Sequence, residues 1–317
     1  MIDFIKVTKS LYGKDSVFLE HCQFDAVFYS GWQKYLIEGC ERLTLWYNPD
    51  SEIIRLEGSI IYYVQGHNFT YSTKSFYEGI KHLNNILRID LWDSIVEEFE
   101  FGIITKVESK PHNYILNHEV QPKEKLQIEE KRRDKGGFRW YKGKGKVLKL
   151  YDAGKNMMYK QGKRKREIVE SAGYNHFDNF IKFEVHYTKP EILNNGQPLS
   201  LFDLVNPEYK DIFKEDLYKQ YKRLLPVESL KAPCNKADIS TADILMFAIV
   251  EELASKGVSL PNVKKRLYKL VNSFSNDVLS KADKDSRKRQ ITALYKKINK
   301  DNLSRWDLSE KIKQALQ

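Results

Sequence analysis

The sequence predicts an α+β fold: a mainly antiparallel sheet with packed helices, followed by a helical C-terminal region. Three observations carry this expectation. Runs rich in β-branched and aromatic residues, with partial alternation of apolar and polar positions, recur through residues 1–225 as strands do. Between two of them lies TKSFYEGIKHLNNILRIDLW, whose apolar residues are spaced by three and four, as on one face of a helix. After a turn-rich break at LPVESLKAPCNKADIS the chain reads as helix.

The first strand candidates are RLTLWYN, EIIRLEGSIIYYVQGHNF and IVEEFEFGIITKVE. The intervening helix buries Phe76, Ile80, Leu83, Ile86/Leu87 and Leu91. Residues 106–140 are polar, with two prolines and a Gly-Gly, and read as a loop or arm. GFRWYKGKGKVLKLYDAGKNMMYK reads as a hairpin ending in a strand, and QGKRKREI as a basic turn. NFIKFEVHYTK is a strand, and GQPLSLFDLVNPEYKDIFKEDLYKQYKRLL is helical after a loop. In the C-terminal part, Ser240 with Asp243 three residues on opens STADILMFAIVEELASKG, and Gly257 closes it. SLPNVKKRLYKLVNSF begins at a proline, which suits a first helical turn. SRKRQITALYKKINK and DLSEKIKQALQ complete a small bundle. The expected division is therefore 1–225 and 240–317, and the helices joined by KGVSLP form a candidate helix-turn-helix near 240–272.

The chain has 317 residues, 41% hydrophobic and 13% aromatic, which suffices for a sizeable core. Its net charge of +10 points to a polyanionic partner, nucleic acid before an anionic membrane surface. Cys22, Cys40 and Cys234 are scattered without a Cys-x-x-Cys spacing, which argues against a structural zinc site and fits a reducing cytoplasm. MIDFIKVTKS holds no signal-peptide core, and no run is apolar enough to span a membrane.

Between 131 and 166 there are 15 Lys/Arg against 2 Asp/Glu. The cations include Lys131, Arg132, Arg133, Arg139, Lys142, Lys144, Lys146, Lys163, Arg164, Lys165 and Arg166, and Phe138, Trp140, Tyr141 and Tyr159 are interleaved. Such a run can be a solvated face, but aromatics among lysines suit base stacking with phosphate contact. Trp140 and these cations are the candidate DNA-binding residues.

Alternation places Val147, Lys149 and Tyr151 on one face of their strand, with Leu148 and Leu150 on the other. Tyr151 therefore sits on a polar face beside a lysine. In IKFEVHYTK, Ile181, Phe183, Val185 and Tyr187 share the apolar face, while Lys182, Glu184 and His186 point the other way. In IVEEFEFGII, Glu98 and Glu100 lie opposite Phe99, Phe101 and Ile103. Paired carboxylates suit a hard cation such as Mg²⁺, or they form a solvated edge. His67 follows Gly66 at what reads as a strand end, as a ligand or a structural histidine.

The order of these pieces resembles the gene II/X family of phage and plasmid replication proteins, the rolling-circle initiators of filamentous phages. The matching pieces are the MID start, QGHNF at 65–69, VEEFEFG, VLKLYDAGK at 147–155 and IKFEVHYTK followed by GQPLSLFDLV, in the family's order over roughly 1–225. A looser likeness extends to plasmid initiators of the Rep_trans type. The resemblance implies a rolling-circle nickase-like fold and an origin-specific, metal-dependent nickase and ligase. Its nucleophilic tyrosine falls on Tyr151 and its strand glutamate on Glu184. Glu100, with Glu98 behind it, stands where the family has Asp in an R-I-D strand, and the family's histidine falls on His67. The competing match LRID ends in Asp90, within the helical stretch.

The implied cofactor is Mg²⁺ or Mn²⁺ on Glu100 and Glu184, with His67 or His186. The implied nucleophile is Tyr151, with Lys149 or Lys155 neutralising phosphate charge. The implied partners are single-stranded or nicked origin DNA of a phage or plasmid and host replication proteins, with no membrane and a cytoplasmic location. The rival expectation is a non-catalytic origin-binding or regulatory protein using the helix-turn-helix; an RNA-binding module is a third.

Overall fold

In the computed structural model the described residues are 1–12, 19–28, 30–40, 42–121, 123–129, 138–157, 167, 170–171, 173–175, 178–226, 249, 260–299 and 306–317. Their strands are β1 (Ile2–Ser10), β2 (Cys22–Val27), β3 (Gln33–Ile37), β4 (Leu43–Asn48), β5 (Ile53–Gly58), β6 (Ile95–Val107), β7 (His118–Val120), β8 (Gln127–Glu129), β9 (Phe138–Gly143), β10 (Lys146–Asp152), β11 (Asn179–Tyr187) and β12 (Leu224–Pro226). The helices are α1 (Ile60–Gln65), α2 (Thr73–Leu87), α3 (Pro111–Leu116), α4 (Pro207–Tyr221), α5 (Leu260–Ser273), α6 (Lys281–Asn299) and α7 (Ser309–Leu316), with a 3₁₀ turn at Pro190–Leu193. The α+β expectation is met in its coarse form, a large antiparallel sheet with packed helices.

Among the described residues ten strands form one sheet in the order β2-β3-β4-β5-β1-β6-β11-β10-β9-β8, and β12 pairs separately with β7. All of these pairs are antiparallel. β1 lies mid-sheet: it pairs with β5 on one side and β6 on the other, and so joins an N-terminal half to a C-terminal one.

Alternation gives the sheet two unlike faces. On one face Phe99 stacks on Tyr187 with ring centroids 4.8 Å apart, and both are fully buried. Phe213 of α4 packs on Phe99 at 5.1 Å, and Tyr221 of α4 on Phe183 at 5.4 Å. Leu148, Leu150, Ile181 and Val185 complete this face beneath the helices. Burying it removes several large apolar side chains from water, each worth about 1.5–3 kcal/mol. The other face carries the charged residues of the candidate site.

Several expectations need correcting. IIYYVQ folds as α1, not as strand, because Ser59 accepts a hydrogen bond from the Tyr62 N–H (3.3 Å) and Gly66 closes the turn at φ 73°. Of the expected arm at 106–140, residues 106–121 hold regular structure: β6 runs to Val107, Pro111 opens α3, and Tyr114 and Ile115 are buried, while 130–137 lie outside the described residues. α2 ends at Leu87, so Asp90 lies past the helix, where it accepts from the Trp92 N–H (3.1 Å). The C-terminal helices appear as expected, but α7 does not belong with α5 and α6: Trp306, Leu308 and Ile312 join the sheet's core, and Tyr221 donates to Asp307 (3.0 Å). The boundary between 1–225 and 240–317 therefore does not separate 306–317 from the sheet. STADILMFAIVEELASKG, the first helix of the expected helix-turn-helix, lies outside the described residues apart from Ile249. Cys22 and Cys40 are free thiols, and Cys234 lies outside the described residues. Among the described residues no helix is long and apolar enough to cross a membrane.

Candidate functional site

Cross-strand register assembles the site. Glu184 on β11 faces Gly102 on β6 and Lys149 on β10, and Lys149 in turn faces Trp140 on β9. One row along, Lys182 faces Tyr151; in the other direction His186 faces Glu100. Gly102 makes the row possible: a Cβ there would lie 2.4 Å from Glu184 Cβ and 2.6 Å from the Phe183 carbonyl oxygen. Asp3 enters from β1, held by Asn68 Nδ2 (2.6 Å) and Ser59 Oγ (3.3 Å) as donors.

The charges alternate along a continuous ladder. Lys182 Nζ bridges Asp3 and Glu184 Oε2, the latter at 2.6 Å. Lys149 bonds Glu100 and lies 3.8 Å from Glu184. His186 donates from Nδ1 to Glu100 (3.0 Å) and from Nε2 to Glu98 (2.8 Å). Lys6 joins Glu98 (2.9 Å) to Glu97 (3.5 Å), and Arg55 ends the series on Glu97 (3.2 Å). Asp3, Glu184, Glu100, Glu98 and Glu97 are thus matched by Lys182, Lys149, His186, Lys6 and Arg55, so the ladder has no net charge when His186 is protonated. The Tyr151 hydroxyl donates to Glu184 Oε2 at 3.2 Å.

Burial and neighbours set the protonation. Burial alone would raise the Glu100 carboxyl, but His186, Lys149 and Lys182 outweigh it and hold it down at about 2. For Glu184 burial wins over Lys182, with Glu100 adding repulsion, so its carboxyl is raised. Burial, then the Glu184 charge, pushes the Tyr151 phenol well above its ordinary value. Burial would lower Lys182, yet Asp3 and Glu184 hold it well above the usual lysine range. His186 is raised: Glu100 and Glu98 overcome its desolvation.

Tyr151, Lys149, Glu184, Glu100, Glu98 and His186 are therefore brought together on one sheet face, as alternation predicts. Others are placed elsewhere or differently. His67 is buried behind the cap of α1, not at a strand end, and its Nδ1 accepts from the Phe69 N–H (3.2 Å). It is absent from the set of convergent ligand atoms among the described residues. When protonated, the state its carboxylate neighbours favour, His186 donates both ring N–H groups to Glu100 and Glu98 and has no lone pair for a metal. Lys155 is exposed and lies in a helical turn after β10.

The expected DNA-binding residues divide. Arg139 is 3% exposed and donates to the Leu116 and His118 carbonyls (3.0 and 2.5 Å), with Glu119 at 3.5 Å. Lys146 points to the helix-covered face and pairs with Asp216 at 3.1 Å. These two are structural cations, because their parity on β9 and β10 matches that of the core residues. Trp140 shares the site face, with Lys149 Nζ 5.3 Å from its ring centroid. Lys142 and Lys144 are exposed. Lys131, Arg132, Arg133, Lys163, Arg164, Lys165 and Arg166 lie outside the described residues.

Sequence reasoning missed Asp3 and the part played by Lys182. The signal for Asp3 was an acidic residue early in an apolar strand. For Lys182 it was a lysine sharing a face with Glu184. Asp3, Glu100 and Glu184 each offer an oxygen, and these lie within 4.8 Å of one another. Three convergent carboxylates are a donor set that fits a hard divalent cation such as Mg²⁺ or Mn²⁺; Lys182 and Lys149, which neutralise them here, would compete with it. At the far end of this face Phe69, Tyr174, Phe180 and Met157 form a small apolar cluster, and Tyr151 is only 5% exposed. No family model, curated protein or solved structure matches the chain.

Proposed function

We propose that the chain is a rolling-circle replication initiator: an origin-specific DNA endonuclease and ligase that uses Tyr151 as nucleophile on a nickase-like sheet. The observation that supports it above the others is the Tyr151 hydroxyl donating to Glu184 (3.2 Å) within a convergent group of three carboxylates. A divalent cation on Asp3, Glu100 and Glu184 would supply Lewis-acid polarisation of the scissile phosphate. The remaining chemistry belongs to the chain. Glu184, whose Oε2 already accepts the Tyr151 hydrogen bond, takes the phenolic proton as Tyr151 Oη attacks phosphorus. The P–O3′ bond breaks, the 3′ oxygen receives the proton back from Glu184, and a 5′-phosphotyrosine remains. Reversal with a new 3′-OH religates the strand. Lys149 and Lys182 offset charge developing on the phosphoryl oxygens, since such transfers depend mainly on positioning and charge. Tyr151 is 5% exposed, so a phosphate reaches its hydroxyl only when the side chains covering it move aside.

The test is a library of single-stranded oligonucleotides, 3′-end-labelled and incubated with Mg²⁺ or Mn²⁺. Wild type yields a denaturation-resistant adduct and Tyr151→Phe does not; an adduct persisting in Tyr151→Phe removes Tyr151 from the role. Glu184→Gln loses nicking and keeps DNA affinity. A second reading is favoured by the matched charges of the ladder, which a non-catalytic DNA-binding initiator would keep for stability alone. Absence of any wild-type adduct with either metal selects it.

A further inference from the structure

Residues 260–299 contain eleven Lys/Arg and three Asp/Glu, a net +8 against +10 for the whole chain. α5 and α6 pair through their apolar sides: Val263 is fully buried and Ile291 is 8% exposed. Tyr268 lies between the helices, its hydroxyl bonded to Thr292 Oγ1 (2.5 Å). What remains outward is mainly basic, with Asp277, Asp283 and Asp285 also exposed. Lys265, Arg266 and Lys269 on α5, and Lys281, Arg287 and Arg289 on α6, are exposed. None of the six pairs with a carboxylate among the described residues.

The sheet behaves in the opposite way. Lys6, Arg55, Lys149 and Lys182 are consumed by the ladder, Lys146 by Asp216 and Arg139 by Glu119. Outside 260–299 the described residues carry 27 Lys/Arg against 30 Asp/Glu, so the net positive charge of the described residues is concentrated on the helical pair, on cations that keep their solvation and can release counterions from a polyanion.

We infer that the α5–α6 hairpin is a docking surface for the phosphate backbone of duplex DNA. This inference goes beyond the nickase reading and does not depend on Tyr151. Duplex DNA carries one charge per roughly 1.7 Å of axis, a dense match for a row of lysines and arginines. Single-strand grooves place stacking aromatics among their cations. Here Tyr268 is turned onto Thr292, and Phe274 lies past the end of α5. Lys265 and Lys269 stand one turn apart, about 6 Å along the helix, so both can face one backbone. The contacts are to phosphate and carry no base sequence, so the hairpin grips DNA and leaves choice of origin to other residues.

The experiment uses the full chain, two triple variants (Lys265→Gln/Arg266→Gln/Lys269→Gln and Lys281→Gln/Arg287→Gln/Arg289→Gln) and fluorescence anisotropy. The probes are a mixed-sequence duplex of about 30 base pairs, its single strand, the matching duplex RNA and phosphatidylglycerol vesicles, titrated between about 50 and 200 mM salt. Wild type binds duplex DNA most tightly, and each triple variant makes the log–log salt slope shallower by about 0.9 for every phosphate contact it removes. Slopes unchanged in both variants overturn the assignment, as does tighter binding of the vesicles, the RNA or the single strand. Tyr151→Phe binds duplex as wild type does, and the triple variants still form adduct on single strands. Failure of the docking surface is thereby separated from failure of the nickase.

Discussion

Replacing Lys182 by methionine keeps most of the side-chain stem and removes its charge. Lys182 is 1% exposed, and Asp3 and Glu184 share its ammonium. Removing one partner of a buried ion pair costs about 3–5 kcal/mol, because the remaining charge is stranded. The methionine recovers about 1 kcal/mol by burying apolar atoms where the ammonium stood, which leaves a net loss near 3 kcal/mol. Urea unfolding followed by tryptophan fluorescence measures it. The sign of the pH dependence is fixed. Burial already raises the Glu184 carboxyl against the pull of Lys182, and losing Lys182 raises it further. A carboxyl raised on folding holds more protons folded than unfolded between its two pKa values, so stability falls as pH rises through that interval. The cost of Lys182→Met is accordingly larger at about pH 8 than at about pH 5. Adding Glu184→Gln recovers part of it. A loss below about 1 kcal/mol, or one that does not shrink on acidification, refutes the ladder as described.

Gly102→Ala forces a methyl to within 2.4 Å of Glu184 Cβ; overpacking of this kind costs about 1–3 kcal/mol, read as a lower Tm together with weaker adduct formation. Protonated His186 stabilises the fold below about pH 6.5, and that contribution is lost as pH rises through its raised folded value. A stability–pH profile of wild type shows this decline, and His186→Gln removes it. The Tyr221 hydroxyl donates to Asp307 (3.0 Å), accepts from the Leu308 N–H (2.6 Å) and meets His118 Nε2 (2.9 Å). Tyr221→Phe leaves these groups under-bonded at a cost of about 1–3 kcal/mol, and amide exchange in α7 accelerates ahead of the sheet.

Strand periodicity made the site face legible before any contact was known. Alternation alone put Tyr151 with Lys149, Glu184 with Lys182 and His186, and Glu98 with Glu100, and cross-strand register then joined them. Alternation could not supply the register, so it gave no reason to bring Asp3 from β1 to Glu184. The segment after Gly58 misled because β-branched and aromatic residues suit either a strand or a buried helix. Ser59 and Gly66 decided it through their caps. Charge density makes the lysines and arginines of the basic hairpin candidate DNA contacts, yet Lys146 shares its parity with Leu148 and Leu150 and so belongs under α4. Composition counts charge; it does not say which cations already have a partner.

The mid-sheet position of β1 also bears on when the site comes into being. β2 to β5 can pair through local hairpins, with β1 added against β5, while β6, β8, β9, β10 and β11 form the other half. Asp3, Lys6 and Arg55 belong to the first half; Glu97, Glu98, Glu100, Lys149, Lys182, Glu184 and His186 belong to the second. Before the β1–β6 seam closes, Glu97 lacks both Lys6 and Arg55, Glu98 lacks Lys6, and Lys182 lacks Asp3. The ladder is then a lock across the seam, complete only when β1 and β6 are paired. Slippage at the seam would dismantle the acidic triad while leaving most of each half paired, so the triad exists only in molecules whose two halves have joined in register.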